Sequence, residues 1–298
     1  MNERELHGRR VDLDGAIDMH VHFGPEPFVS QLSQATFSVD PAAAARDAAA
    51  AGMAAIVLKP HEFGSAVAAH LAQAAAPSVT VLSGICCDYP VGGLNPVAVE
   101  TALRAGGKVV WLPTISSRQS DPAHLKMLFG DVPGIAVTDD EGKLVKPARI
   151  IMDLVREHDA VLATGHITKA EHFAVAREFG NRGRLLVTHA MQRVFGPELT
   201  PGHCAELAGL GAMIEFSAHT CAGIPAGATT IAAAIRTVGS SRVILSSDFG
   251  WTPPEPKLPR PAKGLQRYID ALWEAGATEQ ELRRMACVNP ARLLGLAG

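Results

Sequence analysis

Histidine placement carries the first signal. The chain has twelve histidines. Six of them, His20, His22, His61, His166, His189 and His219, fall at or just past the ends of short β-rich runs. The sharpest local pattern is Asp18-Met19-His20-Val21-His22. Residues two apart in a strand point to the same face, so the two imidazoles project together at a separation that suits one metal ion. Neutral imidazole suits zinc, iron, nickel or manganese. Alone, the pattern reads more simply as two buried, hydrogen-bonded histidines. Joined to His166, His189 and Asp248, which close three further runs, it reads as a polyhistidine metal site.

Other residue types add to this set. Lys59 lies in the apolar run AAIVLKPH. A lysine on a buried strand must be paired or neutralised, which marks it as functional against the plainer alternative of a lysine turned outward to a helix carboxylate. His61 shares its face and reads as a substrate contact or as a satisfied surface histidine. His219 closes the seventh run with Glu215 on its face four residues earlier; either could line a pocket, and Glu215, an acid in an apolar run, needs a partner. Asp18 either orients a neighbouring imidazole or caps a backbone group. Cys86 reads as a buried, inert thiol. Arg118 and Arg260 could take a carboxylate or phosphate, although a loop charge is more often simply solvated. His7, His70, His124, His158, His172 and His203 read as surface residues.

Eight runs must position these groups: Ala16 to Gly24, Ala54 to His61, Val79 to Cys87, Lys108 to Ile115, Ala160 to His166, Arg184 to Ala190, Ala212 to His219 and Arg242 to Gly250. Helical stretches alternate with them. Asp40-Pro41 opens one, an aspartate cap followed by proline, and Gly52 closes it. Others run to about Ala76, from near Pro96 to Ala105, and from near Pro147, Lys169 and Thr200-Pro201. The chain ends in helices over about Lys263 to Ala275 and Thr278 to Leu294, the second broken near Pro290. Strands alternating with helices read as a parallel sheet of βαβ units. Eight repeats in this length read as a (β/α)8 TIM barrel, a single domain over residues 1–298. An open doubly wound sheet is disfavoured, because no Gly-x-Gly-x-x-Gly follows the first strand. In a barrel all the strand ends converge on one mouth, where such folds build active sites.

Two long loops follow strands four and eight, Ser116 to Lys146 and Trp251 to Pro261. The first contains Ile135 to Val145, which reads as a small hairpin turning at Asp140-Glu141-Gly142. Both are lid candidates at the mouth, or else plain surface loops.

At this point the chain resembles the amidohydrolase superfamily of metal-dependent barrel hydrolases. That superfamily has His-x-His on strand one, histidines ending strands five and six, and an aspartate ending strand eight. The matching residues are His20, His22, His166, His189 and Asp248, and the C-terminal stretch Asn289-Pro290-Ala291-Arg292-Leu293-Leu294 also fits. More narrowly, the chain resembles a branch with Lys-Pro-His after strand two, Trp-Leu-Pro-Thr in strand four and Ser-Ser-Asp in strand eight. The resemblance implies that His20, His22 and Asp248 hold one divalent metal, zinc first, with Mn, Fe, Co or Ni as alternatives. His166 and His189 would hold a second metal, or His166 would join the first. Asp248 would act as general base and then acid. One departure matters: two-metal members usually carry a bridging carboxylated lysine or glutamate on strand three or four, and KVVWLPTI has none at its end. Lys59, Cys86 and Cys87 are the candidates elsewhere. Lys59 would then bridge metals as a carbamate or bind a substrate anion as an ammonium.

Composition narrows the class. The 298 residues are 47% apolar and 19% charged, enough to bury a sizeable core. A net charge of −3 with no long basic run disfavours nucleic acid. No apolar run is long enough to span a membrane, and Met1 to Gly15 lacks the apolar core of a secretory signal. Five cysteines, an odd number, fit a reducing cytoplasm. A small-molecule substrate and a homo-oligomer, common for such barrels, are the expected partners. The leading expectation is a metal-dependent hydrolase of an amide, lactone or phosphoester. The alternative is a one-metal lyase, a decarboxylase or hydratase, with His189 acting on substrate. A non-catalytic metal store or ligand sensor has no residue in its favour.

Overall fold

The computed structural model describes residues 11–194, 196–224 and 226–296; His7 and most of the leading segment lie outside them. Eight strands run in chain order: β1 Ile17–Val21, β2 Ala55–Leu58, β3 Thr80–Cys86, β4 Val109–Trp111, β5 Val161–Ala163, β6 Arg184–Val187, β7 Met213–Ser217 and β8 Val243–Ser246. Each pairs in parallel with the next. The ring closes just past β8, where Asp248 N–H donates to His20 O (3.0 Å) and His22 N–H to Phe249 O (2.8 Å). All eight runs read from the sequence form strands, each shorter than its run, because the pairing stops where the chain turns into the mouth.

Two apolar layers hold the barrel. Ile17, Met19, Val57, Trp111, Ala163, Leu186 and Ile244 pack inside it, and a larger shell lies between strands and helices. The register of β1 against β2 shifts between Asp18 and Val21. This irregularity restarts the in-out alternation. Ile17 and Met19 face the interior, Val21 faces the outer shell, and His20 and His22 reach the mouth. At the opposite end the helix Asn289–Leu294 plugs the barrel with Leu293 and Leu294. Arg184, at the start of β6, ties it down by donating to Arg292 O (2.7 Å) and Leu293 O (2.9 Å).

Helix starts follow their capping residues. The Asp40 side chain accepts from Ala43 N–H (2.6 Å) ahead of Pro41–Ala50. Thr168 and Thr278 each form a reciprocal box with a glutamate three residues on. The last helix differs from expectation: it passes through a π-helical turn, Arg284–Val288, and resumes at Asn289 instead of breaking near Pro290. Proline fits there because it occupies the first turn of the resumed helix, where no intrahelical N–H is needed. The expected hairpin is present, with Thr138 bridging Leu144 and Asp139 N–H donating to Lys143 O (2.8 Å). Two features at the mouth were not foreseen: a helix Pro27–Ser33, and a ribbon pairing Thr36–Phe37 with Trp251–Thr252. Among the described residues no helix is long and apolar enough to cross a membrane.

Candidate metal centre

Glu215, on β7, organises the site from behind. Both its oxygens lie 3.2 Å from His20 Nδ1. It also accepts the His189 backbone N–H (2.8 Å) and the Ser246 hydroxyl (2.7 Å). Burial alone would raise its pKa, but His20 and these donors together hold it below the usual value. A carboxylate there fixes the His20 proton on Nδ1. His20 Nε2 then points a lone pair at Asp248 Oδ1, 3.1 Å away, without hydrogen-bond geometry. His22 Nε2 lies 3.2 Å from the same oxygen. The His20 lone pair and the carboxylate oxygen repel unless a cation lies between them. One atom each from His20, His22 and Asp248 lie within 4.8 Å of one another, and this donor set suits a divalent ion.

His166 and His189 face each other across the mouth, Nε2 to Nε2, at 3.0 Å. The His189 ring stacks on that of His20 at 5.6 Å. His166 follows Gly165, whose positive φ and close approach to Leu112 O leave no room for a side chain. His189 and Asp248 themselves have left-handed backbones, φ 25° and 57°. Such conformations cost free energy in residues other than glycine and gather at functional sites. The bonds from His189 N–H to Glu215 and from Asp248 N–H to His20 O hold them in place.

Electrostatics keep these imidazoles in the ligand form. Burial, with repulsion from Lys59, pushes His22 down to about 3. Burial takes His189 to about 4, and His61 and His166 also fall well below the ordinary value, chiefly through burial. Metal ligands must be unprotonated, and neutral imidazoles at pH 7 meet that need. Burial alone would raise Asp248, but its interactions with His20, His219 and His22 outweigh burial and hold it well below the usual carboxylate range.

A cavity opens over this cluster. Val29 and Leu32 from the unforeseen helix, Ile115 and Trp251 form an apolar wall, and Gln192 and His219 a polar one. Gln192 Oε1 accepts the backbone N–H of Arg193 (2.9 Å), which turns its amide N–H toward His219 Nδ1 (3.2 Å). The same His219 Nδ1 lies 3.5 Å from Asp248 Oδ2. Of the two lid candidates, the second supplies Trp251 to the wall, whereas among the described residues none of the first, Ser116 to Lys146, lines the cavity.

Most residues singled out in the sequence meet here. His20, His22, Lys59, His61, His166, His189, His219 and Asp248 all line the cavity. Arg118 does not: it donates to Thr138 O (2.6 Å) and sits 3.7 Å from Glu171, bracing its own insertion. Arg260 pairs with Asp47 (2.7 Å) on the outside. Asp18 orients no imidazole; it accepts the backbone N–H of His20 (3.1 Å) and Ser247 (3.0 Å), stitching β1 to β8. His172, expected at the surface, is fully buried. Cys86 and Cys87 are buried, and burial pushes both thiols up. Sequence reasoning missed Glu26, Asp88 and Thr114, which surround His61.

Solved structures share this fold at low sequence identity. The probable dipeptidase PvdM from Pseudomonas aeruginosa is 12% identical with a TM-score of 0.65, over 98% of this chain and 96% of that one. A probable 2-pyrone-4,6-dicarboxylic acid hydrolase from Acinetobacter baumannii is 11% identical with a TM-score of 0.58, over 94% and 99%. The 2,6-dihydroxybenzoate decarboxylase from Rhizobium is 12% identical with a TM-score of 0.55, over 96% and 100%. The barrel is thus the one these amidohydrolase-superfamily enzymes have. No curated protein matches the chain in sequence. Residues 15–215, about two thirds of the chain, match a family model described as a family of unknown function, and the chain belongs to that family, DUF6282.

Proposed function

We propose that this protein is a metal-dependent hydrolase of a small molecule. The observation that carries the reading is the convergence of His20 and His22 Nε2 on Asp248 Oδ1, with His166 and His189 Nε2 paired beside them. His20, His22 and Asp248 would hold a divalent ion, zinc first, and His166 and His189 a second ion or part of the first site. A bound ion supplies Lewis acidity, and with it a hydroxide at neutral pH. Asp248, held as a carboxylate, takes the proton from the attacking water and returns it to the leaving group. His219 lines the cavity, and a ring N–H there can donate to the oxygen on which charge develops. The bond cleaved would be an amide, lactone or phosphoester, and the apolar wall excludes water from it.

Metals per chain, counted by elemental mass spectrometry on protein purified without chelators, test this directly. We expect metal in the wild type and its loss in His20→Ala and Asp248→Ala, together with loss of hydrolysis in a substrate screen. Unchanged metal content and unchanged turnover in both variants would sink the reading. A second reading is a one-metal lyase. It is favoured by the end of β4, where Trp111 and Leu112 stand in place of any bridging acid or lysine. A decarboxylase is among the proteins of shared fold. Two anomalous-scattering peaks about 3.5–4 Å apart would rule that reading out.

A further inference from the structure

Lys59 is the one lysine or arginine among the described residues lining the cavity, and it is fully buried. Among the described residues it forms no ion pair; its Nζ meets one neutral acceptor, His61 Nε2, at 3.2 Å and lies 5.9 Å from the centre of the Trp111 ring. The direction of the bonds behind His61 fixes what Lys59 must be. Asp88 Oδ1 accepts the backbone N–H of Thr114 (2.8 Å) and Ser116 (2.9 Å), and Asp88 Oδ2 accepts the Thr114 hydroxyl. With its proton given to Asp88, Thr114 Oγ1 accepts from His61 Nδ1, 2.8 Å away. His61 is then the Nδ1-protonated tautomer, and its Nε2 offers Lys59 a lone pair. Lys59 must donate. As an ammonium it does so and keeps two further N–H groups. As a carbamate it would add a negative charge beside two buried carboxyls, Glu26 and Asp88, whose ionisation burial already opposes.

A buried ammonium with one neutral acceptor is costly unless an anion completes its shell. We propose that Lys59 anchors a carboxylate group of the substrate, so that the protein acts on small carboxylated molecules. The inference rests on the reading of this cavity as the substrate site. Charge matching favours a carboxylate group over a phosphate monoester: Arg118 and Arg260 are engaged elsewhere, which leaves a single positive side chain, a match for one carboxylate group but not for the two charges that a phosphate monoester gathers on one group. Val29, Leu32, Ile115 and Trp251 then cover the apolar body of the molecule.

The test uses succinate, its neutral diamide succinamide, and inorganic phosphate as probes. Each is titrated calorimetrically into wild type, Lys59→Met and Lys59→Arg, both chelated and metal-loaded, and intact mass is recorded under native conditions. In the chelated protein no metal can bind the anion. There we expect wild type to prefer succinate over succinamide by about tenfold or more, as a hydrogen-bonded charge provides. Lys59→Met should lose that preference with metal content unchanged, and Lys59→Arg should keep part of it. Equal binding of the two probes by wild type overturns the proposal. So does a preference that survives in Lys59→Met, or phosphate binding tighter than succinate. A wild-type mass raised by one carbon dioxide, lost with one metal in Lys59→Met, would establish the bridging carbamate instead. Should Lys59→Met not fold, the wild-type preference and its partial retention in Lys59→Arg decide. A wild type without metal sinks the hydrolase reading alone, since the chelated titration scores the anchor independently.

Discussion

Glu215 shows what single residues do here and how they could be read. That the candidate ligands meet was legible because each ends a strand, and a parallel barrel brings strand ends together whatever their distance in sequence. The supporting shell was not, because it depends on three-dimensional neighbours. Asp18 sits beside the His-x-His pair and looked like its orienting acid, yet it holds backbone N–H groups of β1 and β8. The orienting acid is Glu215, whose contact with His20 spans 195 residues. Its burial in an apolar run signalled a partner without naming it. Removing the charge at Glu215 tests this role. Glu215→Gln keeps the shape but weakens the acceptor for His20 Nδ1–H, and metal affinity should fall about 10–100-fold, the usual cost of losing such support. Competition against a calibrated chelator measures it, with circular dichroism to confirm the fold. Unchanged affinity would leave His20 indifferent to Glu215.

At the scale of elements, hydrophobic periodicity located the strands and most helices, and capping residues placed several helix starts. It failed where local irregularity rules. Strict alternation cannot turn both Met19 and His20 inward, and the register shift in β1 that permits it has no mark in the sequence. The short helix Pro27–Ser33 was missed because seven residues are too few to show a period. His172 was legible and overlooked: with Val175, Ala176 and Phe179 it forms the buried stripe of Lys169–Phe179. Its Nδ1 donates to Thr168 O (2.9 Å), and its Nε2 is buried without a partner. Burial lowers its pKa to about 4 from 6.5. Between those values the unfolded chain binds a proton that the folded chain refuses. Stability contributed by neutral His172 is therefore complete above pH 6.5 and lost as pH falls toward 4. The slope is about 1.4 kcal/mol per pH unit and the sum roughly 3 kcal/mol. Urea unfolding of wild type and His172→Leu from pH 7 to pH 4 should show a shallower acid loss in the variant. Parallel curves would show that His172 titrates alike in both states.

At the scale of the whole molecule, the candidate metal centre sits at the seam of the barrel. His20 and His22 end the first strand, Asp248 follows the last, and the ring closes through the backbone bonds of these same residues. An ion held by all three would tie the two ends of the sheet together, and no such site exists in the unfolded chain. Binding to the folded state alone stabilises by RT ln(1 + [L]/Kd), about 4 kcal/mol at a thousandfold excess over Kd. The strained backbones of His189 and Asp248 point the same way, since a bound ion offsets conformations that the apo fold must hold unaided. Chelation should therefore lower the melting temperature by several degrees, and zinc should restore it. The effect should vanish in His20→Ala, whose melting temperature should equal that of the chelated wild type to within the cost of the lost side chain. Scanning calorimetry at fixed pH and protein concentration measures each. A wild type that melts identically with and without chelator, while elemental analysis shows that metal was removed, would place the ion somewhere other than this seam.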